Sequence, residues 1–279
     1  MKNWRCREVT MKTILCLFLT IVSLPATAAG LVSIDGALTE IIYRLGAGDR
    51  LVAVDTTSVY PQQAQQLPQV GYMRQLSAEG ILSVKPDLVI ASRDAGPEAV
   101  FEQLKAAGVN IVRIKTPDTV DGVADKIQQV ADALEIPEKG QALARQVTQE
   151  SRQVLAGIPQ NLSADTLFLL GGAGRGLMAA GQHTRAQAFM DLVNANNVFH
   201  HQGYKPVTAE GALQAAPEFV LVGHTGPANS GSAREVLAMT PAAQNDRVHS
   251  VDVGLVLSFG PRLPQALKQV AGLLYPQPD

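Results

Sequence analysis

A short motif and the strand that follows it occur twice in this chain, 131 residues apart, and that echo constrains the fold more than any other feature. Ser77-Ala78-Glu79-Gly80-Ile81-Leu82 precedes Lys85-Pro86-Asp87-Leu88-Val89-Ile90. Thr208-Ala209-Glu210-Gly211-Ala212-Leu213 precedes Ala216-Pro217-Glu218-Phe219-Val220-Leu221. In each copy Ser or Thr can cap a short helix that carries Glu in its first turn, and Pro ends the helix before a buried strand. A helix-strand unit repeated in each half predicts two similar lobes.

The pattern around the echo alternates brief apolar runs with amphipathic stretches. Residues 31–34, 51–54, 88–91 and 111–114 read as strands; 37–45, 78–84 and 97–107 read as helices, with Gly46 and Gly108 as terminators. A second series follows, with strands over 166–170, 219–222 and 248–251 and helices over 185–193, 209–215 and 264–274. The strand runs are almost uninterrupted apolar residues, as burial on both faces of a parallel sheet requires. Between the two series, 121–134 reads as a helix, Pro137 interrupts it, and 138–155 continues as a helix of roughly 27 Å. The expectation is an α/β fold: two similar α/β lobes with mainly parallel sheets, joined by one long spine helix. The boundaries it implies are an amino-terminal lobe over 29–136, a linking helix over 137–160 and a carboxyl-terminal lobe over 161–279.

The first 28 residues stand outside that fold, because they carry the three parts of a secretory signal. Lys2, Arg5, Arg7 and Lys12 precede an apolar run from Ile14 to Leu24, and Ala26-Thr27-Ala28 supplies a small-residue cleavage site. Met11 is a second candidate start, since 11–28 is a complete signal by itself. Cleavage removes those four basic residues and Glu8, so the 23 Lys plus Arg and 25 Asp plus Glu become 19 and 24. Cys6 and Cys16 leave as well, and an oxidising compartment finds no thiol to couple. The mature chain is mildly acidic, with no polycationic surface for nucleic acid. It is expected to be an exported, periplasmic monomer.

Three segments carry a family likeness: Val70-Gly71-Tyr72-Met73-Arg74-Gln75-Leu76-Ser77-Ala78-Glu79-Gly80, Gly172-Ala173-Gly174-Arg175-Gly176 and Ser258-Phe259-Gly260-Pro261-Arg262. With them the chain resembles the periplasmic haem-binding proteins of ABC transporters, within the iron-siderophore and vitamin B12 binding-protein family. The resemblance implies two lobes bridged by a long helix, a ligand held between them, and delivery to an inner-membrane permease with its ATPase. It also implies that one glutamate at each lobe tip meets permease arginines; the matching positions are Glu79 and Glu210, which the repeat independently makes equivalent.

Haem asks a cleft for an axial donor to iron, apolar contact with the porphyrin faces and cations for two propionates. The resemblance assigns Tyr72 as the axial ligand, and a phenolate is an anionic oxygen donor suited to ferric iron. Arg74, two residues on, can stabilise that phenolate or pair with a propionate. His183, just before the helix that opens near Arg185, can ligate the same iron from the opposite side or hold a second haem stacked on the first; one or two haem molecules are both open. By resemblance Arg262 adds a propionate or cleft contact. Met73 reads as apolar filler, and the His200-His201 pair as loop surface.

Catalytic readings fail on spacing. The glycines of 172–176 do not match the Gly-x-Gly-x-x-Gly fingerprint, and neither His-Glu-x-x-His nor Gly-x-Ser-x-Gly occurs. The chain is expected to capture and hand over, not to transform. A siderophore or corrinoid carrier is the alternative on the same fold.

Overall fold

The computed structural model describes residues 30–172, 176–224 and 231–276, so the leader lies outside the described residues, as does the centre of the glycine-rich 172–176 segment. The first half runs β1 (Leu31–Ile34), α1 (Gly36–Arg44), β2 (Leu51–Val54), α2 (Ala78–Leu82), β3 (Leu88–Ser92), α3 (Glu98–Ala106) and β4 (Asn110–Ile114). Its strands form a four-stranded sheet in the order β2-β1-β3-β4, parallel throughout. Val32, Ile34, Val89, Ile90 and Ala91 are fully buried, which is the two-faced burial that their apolar runs predict.

Two long helices follow, α4 (Val120–Ala133) and α5 (Pro137–Ala156). Thr119 caps α4 by accepting from the Gly122 N–H at 3.0 Å. Val120, Val123, Ile127, Val130 and Ala131 make its buried stripe, and Pro137 opens α5 at a position where its missing N–H costs nothing. A side chain at Gly140 would overlap the Ala131 methyl, so this glycine sets how closely the two helices approach.

The second half runs β5 (Ala164–Gly172), β6 (Gly176–Ala180), α6 (Arg185–Leu192), β7 (Ala195–Asn197), β8 (Tyr204–Pro206), α7 (Ala209–Ala215), β9 (Phe219–His224), α8 (Gly231–Leu237), α9 (Pro241–Gln244), β10 (Val248–Asp252), α10 (Val253–Val256) and α11 (Leu263–Leu274). Its six-stranded sheet has the order β10-β9-β5-β6-β8, with β7 beside β5. Here the lobes differ. Strands β10, β9, β5 and β7 are parallel, but β6 and β8 extend the sheet antiparallel, an addition that the sequence pattern does not reveal.

The repeated motif folds the same way twice. Ser77 accepts from the Gly80 N–H at 3.1 Å and Thr208 from the Gly211 N–H at 3.1 Å. After each short helix the residue before proline is left-handed, Lys85 at φ 49° and Ala216 at φ 44°, which turns the chain into β3 and β9. One apolar core joins the halves: it runs from Leu31 and Ile41 through Ile127, Leu143 and Val147 to Phe259 and Val270. Helix α5 packs on α4 and on α11, and so ties to both halves.

Candidate functional site

Ligands of parallel α/β sheets bind beyond the carboxyl ends of the strands. In this chain those ends face one another. Asp35 and Ala37 follow β1, Val59 and Tyr60 follow β2, Asp94 follows β3, Asp118 follows β4 and Val253 follows β10; all line one cleft of about 930 Å3. That volume lies near the top of the range for small-molecule sites.

The loop from Val70 to Leu76 brings Tyr72 and Arg74 to the amino-lobe wall. Thr56 N donates to Gly71 O at 3.0 Å on one side, and Gly96 N to Met73 O at 2.8 Å on the other. Val70, Met73 and Leu76 are buried in the amino-lobe core. Anchoring at these three leaves Tyr72 and Arg74 outward, and Tyr72 is 44% exposed. Gly71 at φ 104° makes the turn ahead of the tyrosine, a conformation that side chains resist.

His183 lines the opposite wall, exposed at φ 59°. Gly181 N donates to Gly203 O at 2.8 Å and Gln182 N to His201 O at 2.7 Å, which pins the chain before it. A side chain at Gly181 would overlap the His201 carbonyl oxygen. On the other side, Thr184 caps α6 by accepting from Gln187 N at 3.1 Å and donates its own hydroxyl to Gly181 O at 2.8 Å. Tyr72, Arg74, His183 and Arg262 therefore share one cleft. Glu79 and Glu210 lie outside it, exposed at the starts of α2 and α7. His200 and His201 do not line it either, and the His201 ring stacks obliquely on Phe199 at 5.5 Å.

The cations of the cleft differ in what holds them. Arg262 donates from Nε to Glu40 Oε2 at 2.8 Å, and its guanidinium lies 3.6 Å over the Tyr60 ring. Glu40 is 1% exposed, and its Oε1 has no hydrogen-bond partner. Burial raises its pKa, and the Arg262 charge only partly opposes that shift. Arg185 bridges the lobes to Asp94 at 3.2 Å and Asp118 at 3.5 Å. Among the described residues Arg74 makes no ion pair, so it is the arginine whose charge is open to an anionic ligand. Tyr204, also in the cleft, has a raised pKa through burial, which its Thr184 and Ala186 neighbours and the charges of Arg185 and Arg74 oppose.

Sequence reasoning missed Glu40, Tyr60, Arg185 and Tyr204 as cleft residues. Glu40 and Arg262 are 222 positions apart and nothing local links them. The exposed Val59-Tyr60 pair had a usable signal: two large apolar residues just beyond the end of a buried parallel strand.

A family model described as periplasmic binding protein matches residues 31–252. The solved structure of the periplasmic heme-binding protein BhuT in complex with two hemes is 38% identical, covering 88% of this chain and 97% of that one, at a TM-score of 0.80. The apo periplasmic heme-binding protein RhuT from Roseiflexus sp. RS-1 is 34% identical, covering 88% and 98%, at a TM-score of 0.81. The vitamin B12-binding protein of Vibrio cholerae is 29% identical over 95% of this chain and 98% of its own length.

Proposed function

Since the chain belongs to the periplasmic binding protein family, whose members serve ABC transport as substrate carriers and not as enzymes, we propose that its cargo is haem, bound in the periplasm as ferric iron protoporphyrin. The observation that carries this reading is the pairing across the cleft: a phenol on the amino-lobe wall, an imidazole on the carboxyl-lobe wall and an uncommitted arginine two residues from the phenol. Tyr72 is the axial donor. Its phenolate oxygen is a hard anion for ferric iron, and Arg74 compensates the phenolate or one propionate. His183 supplies the second donor, to the same iron or to a second haem. Val59, Tyr60, Leu170 and Leu257 give apolar surface to the macrocycle. Arg262, already balanced by Glu40, contributes the wall beneath Tyr60 and holds the lobes together at that point.

Glu79 and Glu210 are proposed to pair with arginines of the inner-membrane permease, one at each lobe tip, with the ATPase driving transfer. The mature protein acts as a monomer after removal of residues 1–28. Lobe-tip contact favours a strained cleft with weaker hold on the ligand.

Absorption titration with ferric haem tests the reading. The wild type should show a shifted Soret band and a phenolate-to-iron charge-transfer band. Tyr72→Phe should lose the charge-transfer band, and a spectrum indifferent to that substitution refutes tyrosinate ligation. The second reading, a corrinoid carrier, is favoured by the vitamin B12-binding relative. Tight binding of cobalamin, with no spectral response to haem, would replace the first reading by the second.

A further inference from the structure

Behind the main cleft, beyond the carboxyl ends of β3 and β4, lies a chamber of about 170 Å3 that shares Asp35, Asp94, Asp118 and Arg185 with it. We propose that this chamber is a carboxylate subsite, in which Lys126 receives one carboxylate arm of the ligand with Thr116 as a second donor. The proposal rests on the haem reading, because a porphyrin with propionate arms presents such a group.

Size comes first. The chamber is too small for a macrocycle but large enough for a short carboxylate arm and a few waters, each taking about 30 Å3. Its walls carry three aspartates against four basic side chains, so the lining is net positive. Lys126 projects from α4 and is only 7% exposed. Its ammonium has three N–H donors and gives one to Phe259 O at 2.9 Å. Among the described residues it makes no other hydrogen bond or ion pair, so two donors of a buried cation remain for whatever fills the space. Thr116 Oγ1, also in the chamber wall, is buried without a partner. Donors left open in a buried site are costly unless water or ligand meets them.

The acids nearby do not neutralise this cation by contact. Asp94 and Asp118 pair with Arg185. Asp35 accepts from the Ala37 N–H at 2.8 Å, as the cap of α1. Burial lowers the Lys126 pKa; Asp35, Asp118 and Asp94 oppose the shift, and Arg185 adds to it. Burial, not a missing counter-charge, is what disfavours this ammonium, and a ligand carboxylate against its open N–H donors supplies the contact that the aspartates do not.

The test compares ferric haem with its dimethyl ester on the wild type, Lys126→Met and Thr116→Val, with affinities read from Soret titrations or competition. The wild type should prefer the free acid. Lys126→Met should narrow that preference by roughly 10- to 100-fold and Thr116→Val by roughly 2- to 10-fold, with ester affinity unchanged in both. Arg74 also favours the acid, so the change in preference is the readout and not the preference itself. If Lys126→Met fails to fold for want of its bond to Phe259, Thr116→Val carries the test alone. An acid-to-ester ratio equal in wild type and variants overturns the subsite while leaving haem binding in place. A wild type that binds neither porphyrin overturns the haem reading, and the subsite with it.

Discussion

Glu40 offers the sharpest test of how the cleft floor is held. Its side chain is 2% exposed and faces an arginine whose side chain is 13% exposed, so this pair is buried and not a surface ion pair. Glu40→Ala leaves the Arg262 guanidinium with a 3.4 Å approach to Gly254 O and the Tyr60 ring as its remaining partners. Removing one member of a buried pair costs about 3–5 kcal/mol. Glu40→Gln keeps an acceptor for Arg262 Nε and should cost only about 1–2 kcal/mol. For a chain of this size 1 kcal/mol moves Tm by roughly 2–4 °C, so Ala should lower it by about 6–20 °C and Gln by about 2–8 °C. The pH dependence separates the two effects. Because burial raises the Glu40 pKa in the folded state, the native protein binds that proton more tightly than the unfolded chain. Its contribution is fully present below the ordinary glutamate pKa and is lost as pH rises through the raised folded value. Glu40→Gln has no proton there to lose. Thermal denaturation by circular dichroism between pH 4 and 8 should show the wild type losing more stability across that window than Glu40→Gln. Parallel curves, or an Ala variant as stable as the Gln variant, would refute this account.

Two other predictions concern the walls and the tips. Gly181→Ala should displace the loop that carries His183, because the new methyl meets the His201 carbonyl, at a cost of about 1–3 kcal/mol and with altered spectra of the haem complex; unchanged spectra and Tm would contradict the packing described. The double reversal Glu79→Lys with Glu210→Lys should lower haem uptake by cells while haem affinity of the purified protein stays constant, and undiminished uptake would remove the docking role.

Much of the architecture is legible in the sequence because buried parallel strands leave compact apolar runs. Leu31–Ile34 and Leu51–Val54 coincide with the expected strands, and the Ser77 and Thr208 caps start their helices where expected. The antiparallel extension is not legible. Gly176–Ala180 is short and holds no β-branched residue, and Tyr204–Pro206 ends in proline at a sheet edge, so neither carries a period that separates strand from loop. The site divides along the same line. Tyr72 and Arg74 stand in one segment with buried neighbours at 70, 73 and 76, so their outward direction follows from local alternation. Glu40, Lys126 and Arg185 read as helix residues, and only tertiary packing brings them to the cleft or its chamber. Lys126 is the extreme case, a lysine on the apolar stripe of α4 whose acceptor lies 133 positions away.

The unbroken interior from Leu31 to Val270 governs how the molecule answers a load. Two blocks on a pivot would swing apart when pulled at their ends. Here, bending the joint would tear closely fitted side chains at Leu143 and Val147 away from their neighbours. A force applied at the two ends is thus met by the whole interior, and parting the lobes costs the packing of that joint.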